Sequence, residues 1–151
     1  MRIPPPIWSL TGLAIMVAAD RWWPASSLAW ASPSLQHSVG GLLVALGLAF
    51  DGLAALEFLR RRASITPWSI HTTSALVTTG LNRLSRNPMY LGLAIWLAGA
   101  GLWLGNLLAL PIIAGFIILM SATQIAAEEA MLEAKFGQAY LDYKARVRRW
   151  I

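Results

Sequence analysis

The chain contains no cysteine, so disulfide bonds, thiol catalysis and cysteine-ligated metals are excluded. It has two histidines, His37 and His71, which are too few for a histidine metal site, and we predict no metal. Charged residues are also scarce, at 13%, whereas soluble domains carry about a quarter. Because 57% of the 151 residues are hydrophobic, the composition predicts a single-domain integral membrane protein.

The clearest apolar segments lie in the second half of the chain. Residues 107–127 carry no charge, and about 20 apolar residues are enough to cross a bilayer. Residues 89–104 are also uncharged and are separated from the following segment by Gly105-Asn106, a strong turn dipeptide. The two segments therefore predict a transmembrane hairpin.

Two further apolar segments precede this hairpin. Residues 38–59 form a span interrupted by Asp51 and Glu57, and residues 7–23 end in Trp22-Trp23, a pair suited to the membrane interface. A cleaved signal peptide is the alternative for the first segment, since its apolar part is short. Together the segments predict an all-α polytopic membrane protein of about four transmembrane helices.

The basic residues are predicted to lie almost entirely on one side of these four spans. This asymmetry is the positive-inside pattern, which predicts that the amino end, the loop after the second span and the carboxyl end are cytoplasmic. In a prokaryote the membrane would be the plasma (inner) membrane. The net charge of +5 then reflects topology and contact with anionic headgroups, without nucleic-acid binding. Arg21 lies opposite the cytoplasmic set of Arg2, Arg60, Arg61, Arg62, Arg83, Arg86, Lys135, Lys144, Arg146, Arg148 and Arg149.

The tail, residues 128–151, is predicted to be an amphipathic helix in the interface, which Gly137 could bend. Its apolar and aromatic residues recur every three or four positions, and polar and basic residues take the other face. The apolar row is Leu132, Phe136, Tyr140, Tyr143, Val147 and Trp150.

Small residues recur at helical spacing in two of the predicted spans. Such stripes let helix backbones approach closely, which predicts a packed bundle. The stripes are Gly41, Ala45, Ala49 and Gly52 in the second span, and Gly92 and Gly99 with Trp96 and Trp103 in the third.

The polar loop before the third span ends in a predicted helix cap. Asn87 suits the N-cap, and Pro88 suits the first helical position, where its missing N–H costs nothing. The free N–H groups of such a cap can hold an anionic group of a ligand. A capped helix whose neighbouring arginines contact headgroups is the alternative.

Two adjacent acids, Glu128 and Glu129, follow the fourth span at membrane depth, where ionisable residues suggest function. Ideal helical spacing places Glu128 on one inward row with Gln124 and turns Glu129 about 100° away. Acids that merely offset the nearby arginines are the alternative.

One further acid, Asp51, lies in the middle of the second span. It could relay protons, bind a cation, form one hydrogen bond to a neighbouring helix or line a wet crevice. His71, in the loop, could act as a base, but nothing near it in sequence orients it.

Five short motifs occur in order around the predicted hairpin. They are Leu76-Val77-Thr78-x-Gly80, Arg86-Asn87-Pro88-Met89-Tyr90-x-Gly92, Glu128-Glu129, Phe136-Gly137-x-x-Tyr140-x-x-Tyr143 and Val147-x-Arg149-Trp150. Each is weak alone, but together, from residue 60 to the end, the chain resembles the isoprenylcysteine carboxyl methyltransferase family and its phospholipid N-methyltransferase relatives.

This resemblance implies that S-adenosylmethionine is the methyl donor and binds on the cytoplasmic side, enclosed by the loop and the tail. It implies that Glu128 holds the donor's amino group, with Glu129 beside it. We predict Glu128 and Arg86 as the catalytic residues. The predicted cofactor-binding set is Ser74, Ala75, Leu76, Val77, Gly80, Asn82, Asn87, Pro88, Met89, Tyr90, Glu128 and Glu129.

The chain departs from the family pattern at three positions. Asn87 stands where the family often has His, and Asn82 stands where it often has Tyr. Gln124 replaces an Arg of the prenylcysteine-type members, and we predict that it faces the methyl acceptor. A neutral amide suits an amine or thiol better than a carboxylate, which favours a bidentate Arg.

The expected reaction is therefore methyl transfer to a lipid amine, or to a small hydrophobic amine or thiol, that reaches the protein from the bilayer. Three alternatives remain at this point. They are a prenylcysteine-type carboxyl methyltransferase, a non-catalytic membrane assembly partner, and a nicotinamide-dependent enzyme like the sterol reductases, for which the chain is too short. The oligomeric state stays open.

Overall fold

The computed structural model describes residues 3–23, 32–60 and 76–151, and these ranges contain helices and connecting turns but no β-strand. The predicted all-α fold is thereby confirmed. Of the predicted site residues, Ser74 and Ala75 lie outside the described ranges. The helices are α1 (Pro5–Trp22), α2 (Pro33–Arg60), a 3₁₀ turn (Gly80–Arg83), α3 (Pro88–Leu104), α4 (Ala109–Met120), α5 (Ala126–Phe136) and α6 (Gln138–Arg146).

Two helical stretches are long and apolar enough to cross a membrane. They are Pro33–Arg60 and Ala109–Phe136, and α3 is a shorter apolar helix. Their outward faces expose large aliphatic side chains such as Leu42, Leu110 and Ile118, which fits contact with lipid. The protein is accordingly an all-α membrane protein, while the figure of about four spans stays a prediction.

The turn between α3 and α4 is formed by the predicted Gly105-Asn106 pair. Gly105 has a φ of +66°, in the left-handed region that glycine adopts without steric cost. Asn106 accepts a hydrogen bond on its Oδ1 from the Leu108 N–H at 2.9 Å. These two local features reverse the chain within a few residues.

The last predicted span and the tail form one continuous helical stretch, which differs from the predicted division at residues 127 and 128. α4 passes through a π-helical turn, Ser121–Ile125, directly into α5. The break comes instead at Gly137, whose φ of +51° ends α5 and starts α6. A change in side-chain polarity does not interrupt backbone hydrogen bonding, whereas a glycine with positive φ does.

The chain forms two compact units. The first comprises Met1–Ala49 and Gly92–Leu119, and the second comprises Phe50–Leu91 and Met120–Ile151. All the predicted site residues that the structure describes belong to the second unit.

In the first unit, glycines bring the backbones of α2 and α3 into direct contact. A Cβ on Gly40 would come within 2.8 Å of the Gly99 carbonyl oxygen, and a Cβ on Gly47 within 2.6 Å of the Gly92 carbonyl oxygen. The predicted α3 stripe thus makes the contact. On α2 the backbone contacts belong to Gly40 and Gly47, while the predicted Gly41 meets the side chain of Trp103. The predicted Gly52 faces open space. The position of the neighbouring helix decides which row of small residues makes the contact.

We expect Gly47→Ala to destabilise the protein by about 1–3 kcal/mol, the usual cost of overpacking. Its new methyl group would lie 2.5 Å from the backbone nitrogen of Trp96, so the two helices would have to separate. Gly52→Ala is the matched control, because a Cβ there meets nothing within 4 Å. Thermal unfolding in detergent, followed by circular dichroism, would measure both, and equal midpoints would contradict this packing.

Candidate active site

The second unit contains a cluster of polar side chains, which begins where the described loop meets the end of α2. Gly80 has a φ of +58° and starts the 3₁₀ turn. The Thr79 hydroxyl donates a hydrogen bond to Glu57 Oε1 at 2.6 Å. A Cβ on Gly80 would lie 3.4 Å from the Glu57 carboxyl carbon, so the loop packs closely against this acid.

The end of the same loop is hydrogen-bonded to the backbone of the chain's last residues. The Arg86 N–H donates to the Arg148 carbonyl at 3.0 Å. Two side chains donate to the Arg149 carbonyl, Ser85 Oγ at 3.2 Å and Asn87 Nδ2 at 2.9 Å. Asn87 directly precedes α3, at the predicted N-cap position. Its side-chain amide, however, bonds to the tail and so joins the loop to it.

Glu129 is the centre of an ion-pair cluster that reinforces this connection. The Arg149 guanidinium contacts its carboxylate with two nitrogens, Nη2 at 2.6 Å and Nε at 3.1 Å. Arg86 Nη1 lies 3.1 Å from Glu129 Oε1, and the side chains of Glu129 and Arg86 are each only 9% exposed. The hydrogen bond to Glu129 raises the pKa of Arg149, so its charge is permanent.

Two tyrosines of α6 hydrogen-bond to the loop, Tyr143 to its backbone and Tyr140 to the Arg86 side chain. The Tyr143 hydroxyl donates to the Asn82 carbonyl at 2.7 Å, and Arg86 Nη1 donates to the Tyr140 hydroxyl at 3.4 Å. The two tyrosine rings are 6.2 Å apart. Burial first, and the Glu129 carboxylate second, raise the pKa of Tyr140, so its hydroxyl stays protonated.

Two hydrogen-bond donors in this cluster have no partner among the described residues. They are Asn82 Nδ2 and Arg86 Nε, and both atoms are buried. Asn82 as a whole is 2% exposed. Because an unsatisfied buried donor is costly, both atoms are candidates for binding an acceptor group of a ligand.

The other acid, Glu128, is half-buried and accepts a hydrogen bond from the Tyr90 hydroxyl. Ideal spacing predicted that Glu128 faces inward and that Glu129 is rotated away, but the structure buries Glu129. The π turn contains one extra residue, so the buried row runs through Met120, Ile125 and Glu129. A residue inserted into a helix rotates everything after it by about 100°.

The remaining predicted residues differ in how deeply they are buried. Val77 and Pro88 are buried, while Leu76 and Met89 are half-buried. Gln124 is 5% exposed and lies inside the π turn. The sequence-based site set omitted the partners Glu57, Thr79, Ser85, Tyr140, Tyr143 and Arg149.

The omitted tail residues did carry a signal. Tyr140, Tyr143 and Arg149 belong to the motifs that indicated the family, but their periodicity assigned the tyrosines to an interfacial apolar face. Nothing in the sequence pairs Glu57 with Thr79, because 22 residues separate them.

Comparison with known proteins adds to this geometry. The family model described as phospholipid methyltransferase matches residues 35–139. An "uncharacterized protein" of Haemophilus influenzae is 49% identical over 63 residues, which are 42% of this chain and 100% of that protein. No solved structure matches the chain.

Two similar enzymes have named activities. The protein-S-isoprenylcysteine O-methyltransferase of Saccharomyces cerevisiae is 32% identical over 109 residues, which are 72% of this chain and 46% of that enzyme. Protein-S-isoprenylcysteine O-methyltransferase B of Arabidopsis thaliana is 35% identical over 100 residues, 60% of this chain and 51% of that enzyme. The chain thus spans about half the length of these two enzymes.

We expect Glu129→Gln to destabilise the docked tail by about 3 kcal/mol, because it leaves the buried Arg86 without its counter-charge. Glu133→Gln is the matched control on the same helix. Glu133 pairs with Lys144 at 3.2 Å, but these side chains are 45% and 40% exposed, and such pairs contribute under about 1 kcal/mol. Tryptic cleavage after Arg146 should accelerate only in Glu129→Gln, and equal rates in the two variants would contradict the role of Glu129.

Proposed function

The chain belongs to the phospholipid methyltransferase family, and on that premise we propose that it transfers a methyl group from S-adenosylmethionine to a hydrophobic acceptor in the membrane. The observation that carries the proposal is that the second unit contains both an acid and buried donors that lack a partner among the described residues. Glu128 provides a half-buried carboxylate, while Asn82 and Arg86 provide two buried donors without partners among the described residues.

These groups fit the amino-acid end of the donor. That end carries an ammonium and a carboxylate, so it needs one acid and at least two hydrogen-bond donors. Glu128 would hold the ammonium, and Arg86 Nε with Asn82 Nδ2 would hold the carboxylate. The start of α3 contributes less, because its first residue, Pro88, has no N–H to offer.

When bound, S-adenosylmethionine supplies a methyl group already activated by its sulfonium charge. The work left to the protein is to align the acceptor, the methyl carbon and the leaving sulfur, and to exclude water. The loop at residues 76–88 and the tail, which the Glu129 cluster joins, would enclose the donor for this purpose. Tyr90 would orient Glu128 through its hydroxyl.

The acceptor would enter laterally from the bilayer and the donor from the cytosol. This arrangement requires several spans, with the amino end, the loop and the tail on the cytoplasmic side. The basic residues of the loop and tail support it through the positive-inside pattern.

Carboxyl methylation of a prenylcysteine is the second candidate, because the similar enzymes of yeast and Arabidopsis carry that name. Gln124 stands against it, since a neutral amide recognises a carboxylate less well than an arginine does.

We expect Glu128→Gln to weaken binding of S-adenosylhomocysteine by about 1.5–3 kcal/mol, the range for a hydrogen bond to a charged group. Isothermal titration calorimetry of the detergent-solubilised protein would measure this, with Glu133→Gln as the control. Equal affinity in Glu128→Gln and the parent would remove Glu128 from the site. Binding of NADPH in place of S-adenosylhomocysteine by the parent would overturn the proposed donor.

A further inference from the structure

The loop at the start of the cluster is held by an acid from another element, Glu57 near the end of α2. The Thr79 hydroxyl donates to Glu57 Oε1 at 2.6 Å, a separation typical of a hydroxyl bound to an ionised carboxylate. Gly80 turns the chain beside the same carboxylate, where a Cβ would lie 3.5 Å from Oε2. Two consecutive loop residues therefore lie against Glu57, which is not one of the donor-binding groups proposed above.

These two residues begin the 3₁₀ turn that carries Asn82. The Asn82 N–H donates to the Thr79 carbonyl at 3.0 Å, so the residue that Glu57 holds is also the one that closes the turn. On its other side, the Asn82 carbonyl accepts a hydrogen bond from the Tyr143 hydroxyl at 2.7 Å. The backbone of Asn82 is thus fixed towards α2 through Thr79 and towards α6 through Tyr143.

This fixed backbone presents the side-chain amide of Asn82. The residue is 2% exposed, and its Nδ2 is buried without a partner among the described residues. An asparagine side chain has only two torsion angles, so the position of Nδ2 follows closely from that of the backbone. Because a hydrogen bond weakens steeply as its geometry departs from linear, a shift of the turn would weaken any bond that this amide makes to a ligand.

We propose that Glu57 is a positioning residue for the methyl donor. Through Thr79 it holds the 3₁₀ turn, and the turn holds the Asn82 amide where it binds the donor's carboxylate. This inference rests on the proposed function, and it gives an acid of α2 a role in donor affinity that is exerted entirely through Asn82.

The test is isothermal titration calorimetry of S-adenosylhomocysteine with the detergent-solubilised protein. Thr79→Val removes the donor of the hydrogen bond and Glu57→Leu removes its acceptor, each with little change in side-chain volume. We expect each variant to bind about five- to tenfold more weakly, because the turn becomes free to shift. Thr79→Ser keeps the hydroxyl and should bind within about twofold of the parent. Glu133→Leu, the same change at an exposed acid of α5, is the matched control for Glu57→Leu.

A double-mutant cycle with Asn82→Ala separates positioning from a general loss of stability. Asn82→Ala should itself weaken binding about tenfold or more, since it removes a hydrogen bond to a charged group. In that background Thr79→Val should cause no further loss, because the group that Thr79 positions is absent. A substitution that only loosens the fold would lower affinity by the same factor with and without the Asn82 amide.

The possible failures are distinct. Parental affinity in Thr79→Val or Glu57→Leu, or an undiminished further loss when Thr79→Val is added to Asn82→Ala, would overturn the role of Glu57 and leave the methyltransferase proposal intact. Parental affinity in Asn82→Ala would remove Asn82 from the donor site, and the role of Glu57 would fail with it. A parent that binds no S-adenosylhomocysteine would overturn both proposals.

Discussion

The carboxylate of Glu129 is the group on which the rest of the second unit depends. It is nearly excluded from water, so it requires compensation, which Arg86 supplies from the loop and Arg149 supplies from the tail. The contact of two Arg149 nitrogens with Glu129 also holds the backbone of the tail in place. The carbonyls of Arg148 and Arg149 are thereby presented to Ser85, Arg86 and Asn87.

The cluster also separates the roles of two neighbouring acids. Consecutive residues of a helix point about 100° apart, so Glu128 and Glu129 meet different surroundings. Glu129 is engaged by two guanidinium groups, whereas Glu128 bonds to the Tyr90 hydroxyl and remains half-buried. Glu129 therefore joins the loop to the tail, and binding of the donor's ammonium is the role proposed for Glu128.

Much of the architecture could be predicted from the sequence because it follows from local patterns. Long apolar runs determine helices in a membrane, since the backbone must satisfy its own hydrogen bonds there. Gly105-Asn106 determines the turn between α3 and α4, and Pro88 determines where α3 begins. The family could also be recognised, because its motifs keep their order and spacing, and the match over residues 35–139 confirms it.

The tertiary structure decided what depends on helix phase and on distant partners. Ideal spacing favoured Glu128 as the inward acid, but the π turn at Ser121–Ile125 adds one residue and buries Glu129 instead. The contact stripe of α2 passes through Gly40 and Gly47, because the position of α3 selects among several rows of small residues. The pairing of Glu129 with Arg149 joins residues that no local pattern couples, so it exists only once the chain has folded.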